Sequence, residues 1–198
     1  MIKTREERYF FMSKRTASDY YLKNKGEIKI TWEDVERDTL HIVRKMKKDH
    51  WQPDIIVSLA RSGLIPASLI SYCLGNKQLY VVKADFSRTQ RDGKDQDLRS
   101  RPILTQRIKR TLKGLKILVV DEMTVSGETL KLVSNYLKTK HPQDVRFAVL
   151  YKQPWTQFQP DYYGRLIRQW PLYPWKELRN NIRDPRSEIS KSQYSSSK

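Results

Sequence analysis

The sequence predicts an α/β fold in which a mostly parallel central sheet is flanked by helices. Three observations carry this reading. Short apolar runs alternate with segments of helical period, the runs are apolar throughout as in strands covered on both faces, and no tight hairpin turn joins one run to the next. At 198 residues the chain fits one domain able to bury most of its apolar surface.

The elements follow in order. "EIKIT" alternates as a short strand, and Thr31, followed three residues later by Asp34, resembles a capping box that opens a helix. Trp32, Val35, Thr39, Ile42, Val43 and Met46 then recur on one side at roughly the helical period, and Pro53 stops the helix. "DIIVSLA" reads as a buried strand, and "GLIPASLISYCLG" as a helix that tolerates Pro66 in its first turn and ends at Gly75. "QLYVVKA" and "LKILVV" are strands, "GETLKLVSNYLKT" a helix, "VRFAVLYK" a strand, and a last short strand is expected in "DYYGRLIRQW". Residues 85–113 form a long polar insert with nine Lys or Arg and four acids, and loops of that length inside compact domains are usually functional or disordered.

The ends differ from the middle. Residues 1–26 hold seven Lys or Arg and three acids with Tyr and Phe interleaved and no sustained period, and read as a basic N-terminal extension. Residues 179–198 are polar and Ser-rich and read as a disordered tail, which leaves 27–178 as the compact domain.

Composition narrows the partners. The 39 Lys and Arg against 22 Asp and Glu give a formal net charge of +17, which points to an anionic partner such as nucleic acid, nucleotide or phosphorylated substrate. Cys73 is the only cysteine, so an intrachain disulfide is excluded, and it is read as a small buried apolar residue. The three histidines are scattered and make no structural zinc spacing. The apolar runs fall far short of the roughly 20 residues of a membrane helix, and the N-terminus lacks a secretory apolar segment, so a soluble, cytoplasmic protein is expected.

The chemistry concentrates in "ILVVDEMTVSGETL". In an open parallel sheet, ligands bind beyond the carboxyl ends of the strands, where Asp121 and Glu122 stand. The small and hydroxyl residues that follow lead into a helix whose first-turn N–H groups attract phosphate. Carboxylates accept hydrogen bonds from sugar hydroxyls while N–H, Ser and Thr donate to phosphate, so the unit suits a ribose 5-phosphate. The alternative is that Asp121 caps a turn and Glu122 is solvated.

This stretch resembles the phosphoribosyl-diphosphate signature of the type I phosphoribosyltransferases: an apolar strand, two acids, a short linker, then Ser or Thr, Gly, any residue, Thr. Together with "ITWEDVERDTLHIVRKM", "DIIVSLARSGLIPASLIS" and "RQWPLYPWKE", in the same order and similarly spaced, it makes most of residues 28–177 similar to the bacterial xanthine-guanine members. The resemblance implies the type I fold, with a flexible hood loop at 85–113 and a small C-terminal base-recognition region. Asp121 and Glu122 would hold the ribose 2- and 3-hydroxyls, and Thr124, Val125, Ser126, Gly127, Glu128 and Thr129 would wrap the 5-phosphate. Ala60, Arg61, Ser62 and Gly63 would hold the pyrophosphate at a turn that in many members contains a cis peptide. Arg61 can pair with phosphate oxygens and Gly63 permits close backbone approach.

On the base side the resemblance places Lys152 at the purine 6-oxo group and Trp170 stacked on the purine, with Pro171 beside it. Magnesium would accompany the phosphoribosyl diphosphate, with Asp121 its candidate protein ligand, and the hood would bring Arg88, Arg91, Lys94, Arg99 and Arg101 over the diphosphate. Relatives are commonly homodimers or homotetramers. Three departures stand out. Val125 occupies the place of an aspartate thought to assist proton movement at purine N7, Glu128 replaces a glycine of the phosphate loop, and "RSG" varies the usual Arg-Gly-Gly.

Two functions follow. The first is a purine phosphoribosyltransferase that converts phosphoribosyl diphosphate and a purine base, with guanine, xanthine or hypoxanthine favoured, into a nucleoside monophosphate and pyrophosphate. The alternative is a non-catalytic or weakly active regulator of the same fold that binds nucleotide, RNA or both, motivated by Val125, Glu128 and the charge.

Overall fold

A computed structural model describes residues 26–86 and 102–176. The expectations placed on the N-terminal extension, on the five hood cations and on the C-terminal tail lie outside these residues.

The described chain runs β1 (Glu27–Lys29), α1 (Trp32–Lys48), β2 (Ile55–Ala60), α2 (Leu64–Leu74), β3 (Leu79–Phe86), β4 (Pro102–Gln106), β5 (Lys116–Thr124), α3 (Glu128–Lys138), β6 (Asp144–Lys152), β7 (Tyr162–Leu166) and β8 (Trp170–Leu172). Six strands form one sheet in the order β4-β3-β2-β5-β6-β7, parallel except for β4, which runs antiparallel to β3. β1 and β8 pair in parallel as a separate two-stranded sheet. The expected α/β architecture is therefore present, with one antiparallel edge strand that the absence of tight turns had argued against.

Local chemistry explains the helices. Thr31 Oγ1 accepts from the Asp34 N–H at 3.2 Å while Asp34 Oδ2 accepts from the Thr31 N–H at 3.1 Å, so both orphan donors of the first turn are satisfied. Val35, Thr39, Ile42, Val43 and Met46 are buried on the inner side of α1, whereas Trp32 is 53% exposed and packs against Trp175 instead. α2 ends at Gly75 in the left-handed region. Cys73, expected to be buried, is exposed on α2, because this helix is apolar nearly all round and only one side of it meets the core.

The sheet is covered on both faces. Ile56, Leu118, Val120, Ala148 and Leu150 pack with α1 and α2, while Val57, Leu59, Val119 and Val149 pack with Leu130, Val133 and Leu137 of α3. The polar insert is narrower than expected. Residues 85 and 86 complete β3, 102–106 form β4, and Ile108 and Leu112 anchor the following residues in the α3-side core. Burial of those two apolar side chains overrides the polar composition around them. No helix among the described residues is long and apolar enough to cross a membrane.

Candidate active site

The strand order fixes the position of the site. β2 has β3 on one side and β5 on the other, so the chain leaves their carboxyl ends in opposite directions and opens a crevice between them. A pocket lies there, lined by Leu59, Ala60, Arg61 and Ser62 from the end of β2, Ala84 from β3, Asp121, Glu122 and Met123 from β5, and Thr129 from α3. The turn after β2 and the two acids, 60 residues apart in sequence, thus share one cavity. The Ala60–Arg61 peptide is cis, and the Arg61 side chain is exposed.

Gly63 is what lets the two loops meet. A Cβ there would come within 2.5 Å of the Val120 carbonyl oxygen, 2.7 Å of the Leu59 carbonyl oxygen and 3.1 Å of the Asp121 Cα. All three are backbone atoms, so nothing can swing aside. The glycine brings the β2 turn directly onto the end of β5.

The adjacent acids have different surroundings. Asp121 is half-buried and accepts the Glu122 N–H at 2.7 Å. Burial pushes its carboxyl up to about 8, helped by the neighbouring charge of Glu122 and opposed by that N–H and by Lys176. Glu122 is buried: Oε1 accepts from Lys176 Nζ at 2.7 Å, and Oε2 has no partner among the described residues. Lys176 lies over the Tyr173 ring at 4.6 Å, and that ring stacks on Trp175. The Tyr173 hydroxyl sits 3.5 Å from the Glu122 carbonyl oxygen, and burial raises its pKa well above the ordinary phenol value. Lys176 and Tyr173, which contact Glu122 without lining the pocket, escaped sequence reasoning; their only signal is membership of "YPWKE".

The expected phosphate loop divides. Ser126, Gly127 and Glu128 line a second depression with Lys131, Gln157 and Phe158. Gly127 has φ +90°, and a Cβ on it would fall 2.5 Å from Phe158 Cβ, so both conformation and space demand glycine at the mouth of α3. Glu128 is exposed, its N–H directed at Ser126 Oγ at 3.4 Å. Thr124 departs from the expectation: as the last residue of β5 it faces inward, with its hydroxyl 2.9 Å from the Thr156 hydroxyl. Val125 is half-buried, and no carboxylate takes its place in the loop.

The residues expected on the base side lie apart from the main pocket. Lys152 ends β6 with its ammonium 4.9 Å from the centre of the Tyr163 ring, which Lys45 also approaches at 4.7 Å. Trp170, half-buried, and Pro171, buried, belong to β8 and pair with Glu27 and Ile28 of β1. Gln153 links the two sides: its N–H donates to the Thr124 carbonyl at 3.1 Å and its side-chain amide to the Gln169 carbonyl at 3.1 Å. Sequence reasoning missed Gln153, although it directly follows Lys152.

The donor set at the β5 end is entirely oxygen, with a buried carboxylate oxygen of Glu122 left unpartnered, which suits a hard cation such as magnesium. Among the described residues no three His, Cys, Asp or Glu side chains gather to cage a metal. A cation here would have to arrive with oxygens of the ligand.

Comparison with known proteins agrees with this geometry. The family model described as a phosphoribosyl transferase domain matches residues 31–177. A xanthine-guanine phosphoribosyltransferase of Gluconobacter oxydans is 28% identical over 148 residues, which span 74% of this chain and 82% of that protein. The crystal structure of a purine phosphoribosyltransferase from Pyrococcus horikoshii superposes with a TM-score of 0.66 at 30% identity, covering 75% of this chain and 93% of that one. The xanthine-guanine-hypoxanthine phosphoribosyltransferase of Helicobacter pylori, at 23% identity and a TM-score of 0.68, shares the fold over 80% of this chain and 99% of its own. With its turn after β2 seated against the acidic end of β5, the chain belongs to the phosphoribosyltransferase family.

Proposed function

We propose that the protein transfers ribose 5-phosphate from phosphoribosyl diphosphate to a purine base, releasing pyrophosphate and a nucleoside monophosphate. The observation that carries this is the convergence of the Ala60–Gly63 turn with Asp121 and Glu122 in one pocket, made possible by Gly63. The substrate class rests on the relatives, whose names specify purines, and a 6-oxopurine such as guanine, xanthine or hypoxanthine is favoured.

In this reading Arg61 and the backbone of its turn hold the diphosphate, the N–H groups at the start of α3 hold the 5-phosphate with Ser126 and Thr129, and the strand-end acids hold the ribose hydroxyls. Burial and the charge of Glu122 raise the Asp121 pKa, so in its protonated form it would donate to one ribose oxygen and in its ionised form it would hold a cation. Magnesium, held by the diphosphate and Asp121, would neutralise charge on the leaving group. The bond between the anomeric carbon and the diphosphate oxygen breaks, the diphosphate leaves with the bonding pair, and one purine nitrogen forms the new bond while the base gives up a ring N–H proton. With valine at position 125 that proton goes to solvent, without the acid–base help typically worth about 10²–10⁴-fold. Lys152 must leave the Tyr163 ring to reach a 6-oxo group, and Trp170 supplies the stacking face.

This reading includes a homodimer or homotetramer in the cytoplasm, and two exposed side chains of α2, Leu64 beside the β2 turn and Tyr72 near the other end of the helix, suit contact between copies. The test is pyrophosphate release by the full chain with phosphoribosyl diphosphate, magnesium and a panel of purines. Turnover with at least one 6-oxopurine is expected, and silence across the panel contradicts the reading. Val125 supports a second reading, a regulator that binds without reacting, which nucleotide binding in the absence of any turnover would mark.

A further inference from the structure

The two faces of the sheet carry different charge arrangements. On one face, α1 and its capping Asp49 balance five acids against five bases. Arg37 and Arg165 pair with Asp34 and Asp38, and Arg146 with Asp49 and Asp144, whereas Arg44, Lys45, Lys47 and Lys48 of α1 stand in no ion pair among the described residues and are offset only by the acids of their own helix and its cap. On the other face, residues 107–116 hold five bases and no acid, and residues 128–141 hold three lysines against the single Glu128. None of these eight bases has a carboxylate within ion-pair distance among the described residues.

Seven of the eight belong to one surface; Lys116, which opens β5 and alternates with Ile117, faces the other way. Ile108 and Leu112 are buried with Leu130, Val133 and Leu137, so segment and helix share an apolar seam. The seam is tied at both ends. The Tyr136 hydroxyl accepts the Ile108 N–H at 3.1 Å, and the Gly114 N–H donates to the His141 carbonyl at 3.0 Å. With the apolar side turned in, Arg107, Lys109, Arg110 and Lys113 are exposed along the segment. Lys131, Asn135 and Lys138 are exposed one helical turn apart on α3. No large hydrophobic side chain is exposed between residues 107 and 141.

We propose that this face docks the phosphate backbone of a nucleic acid. Unpaired cations fixed side by side repel one another, and a polyanion laid across them relieves that repulsion while releasing its own counterions. Exposed amide and hydroxyl groups among the cations, Asn135 and Thr111, are donors of the kind that contact phosphate oxygens. A lipid surface fits less well, since the face offers no apolar side chain to insert. Lys131 also lines the depression at the mouth of α3, while the rest of the face runs back along α3 and the segment leading into β5, so the substitutions that test docking are placed at Arg107, Lys109, Lys113 and Lys138, outside both pockets.

Fluorescence anisotropy of the full chain with a labelled single-stranded RNA and a labelled RNA duplex, over a series of salt concentrations, tests this. The wild-type affinity should fall linearly with salt on logarithmic axes. Replacing Arg107, Lys109, Lys113 and Lys138 with Gln should reduce that slope by about 3 and the affinity at least about tenfold, since each phosphate contact contributes about 0.7–0.9 to the slope. The matched variant Arg44→Gln, Lys45→Gln, Lys47→Gln, Lys48→Gln on α1 carries the same change in net charge and should retain most of the affinity. Equal losses in the two variants, no loss in the first, or no binding by the wild type at low salt each overturn the proposal. So does capture by phosphatidylserine vesicles that responds to the first variant while RNA binding does not. Single variants Lys113→Gln and Lys138→Gln, each expected to lower the slope by about 0.7–0.9, keep the test decisive if the quadruple variant folds poorly.

Discussion

In the half of the site that we assign to phosphate, backbone rests on backbone: the turn after β2 touches Val120 and Asp121 with no space for even a methyl group at Gly63. On the base side, side chains wait elsewhere, with Lys152 over Tyr163 and Trp170 in a small separate sheet tied back through Gln153. Under the proposed function, the difference separates the half of the ligand whose site is built in advance from the half whose site is not. Groups held by backbone N–H and strand ends have a site before they arrive, whereas groups recognised by long side chains require those side chains to move.

The largest expected effect breaks the first half. Gly63→Ala forces the turn away from β5 and should reduce kcat/KM with every base by at least about 10²-fold, the scale of a misplacement near 1 Å. Its overpacking should also cost about 1–3 kcal/mol of stability. Steady-state kinetics beside thermal melts measure both, and full activity in this variant would show that the two loops need not touch.

Next in size, Val125→Asp returns a carboxylate to the loop and should raise kcat by about 10²-fold, with an acidic limb appearing in the pH–rate profile. An unchanged rate would mean that proton movement at the base does not limit turnover. Trp170→Ala addresses the base side alone. It should raise KM for the purine in line with about 1–3 kcal/mol of lost stacking and leave KM for phosphoribosyl diphosphate unchanged. Equal effects on both substrates would erase the distinction between the halves.

A smaller effect belongs to Lys176. Its pair with Glu122 combines a buried carboxylate with a half-exposed ammonium, so solvent screening limits the loss in Lys176→Gln to about 1 kcal/mol of stability. The variant should weaken binding of phosphoribosyl diphosphate, and Lys176→Arg should restore it. No change in either would make the pair incidental.

The pH dependence of stability tests the acidic strand end on its own. Asp121, raised to about 8 by burial and by Glu122, keeps its proton in the native state after the unfolded chain has lost it. Stability should therefore fall as pH rises from about 4 to about 8 and level off above. Asp121→Asn should flatten that window in urea titrations. Identical slopes in both proteins would assign the dependence to another group.

Most of the fold was legible because it is written locally. The Thr31–Asp34 capping box, the left-handed Gly75 and the apolar runs of β2 and β5 each act over a few residues, and all stand where the sequence placed them. The strand-end acids were legible for the same reason, whereas the turn at Arg61 was singled out only through the resemblance. What escaped depends on distant partners. Glu122 meets Lys176 across 54 residues, Thr124 turns inward to Thr156, and β4 lies antiparallel beside β3. Cys73 is exposed although its neighbours are apolar, since burial is decided by which side of α2 meets the core.

Calorimetric titration of phosphoribosyl diphosphate with magnesium into the base-free protein tests most directly whether the phosphate half is assembled in advance. Saturable binding without any purine, with proton release near neutral pH as Asp121 ionises, and its loss in Gly63→Ala are the predicted results. Binding that appears only when a purine is also present, or that survives Gly63→Ala unchanged, would contradict the account.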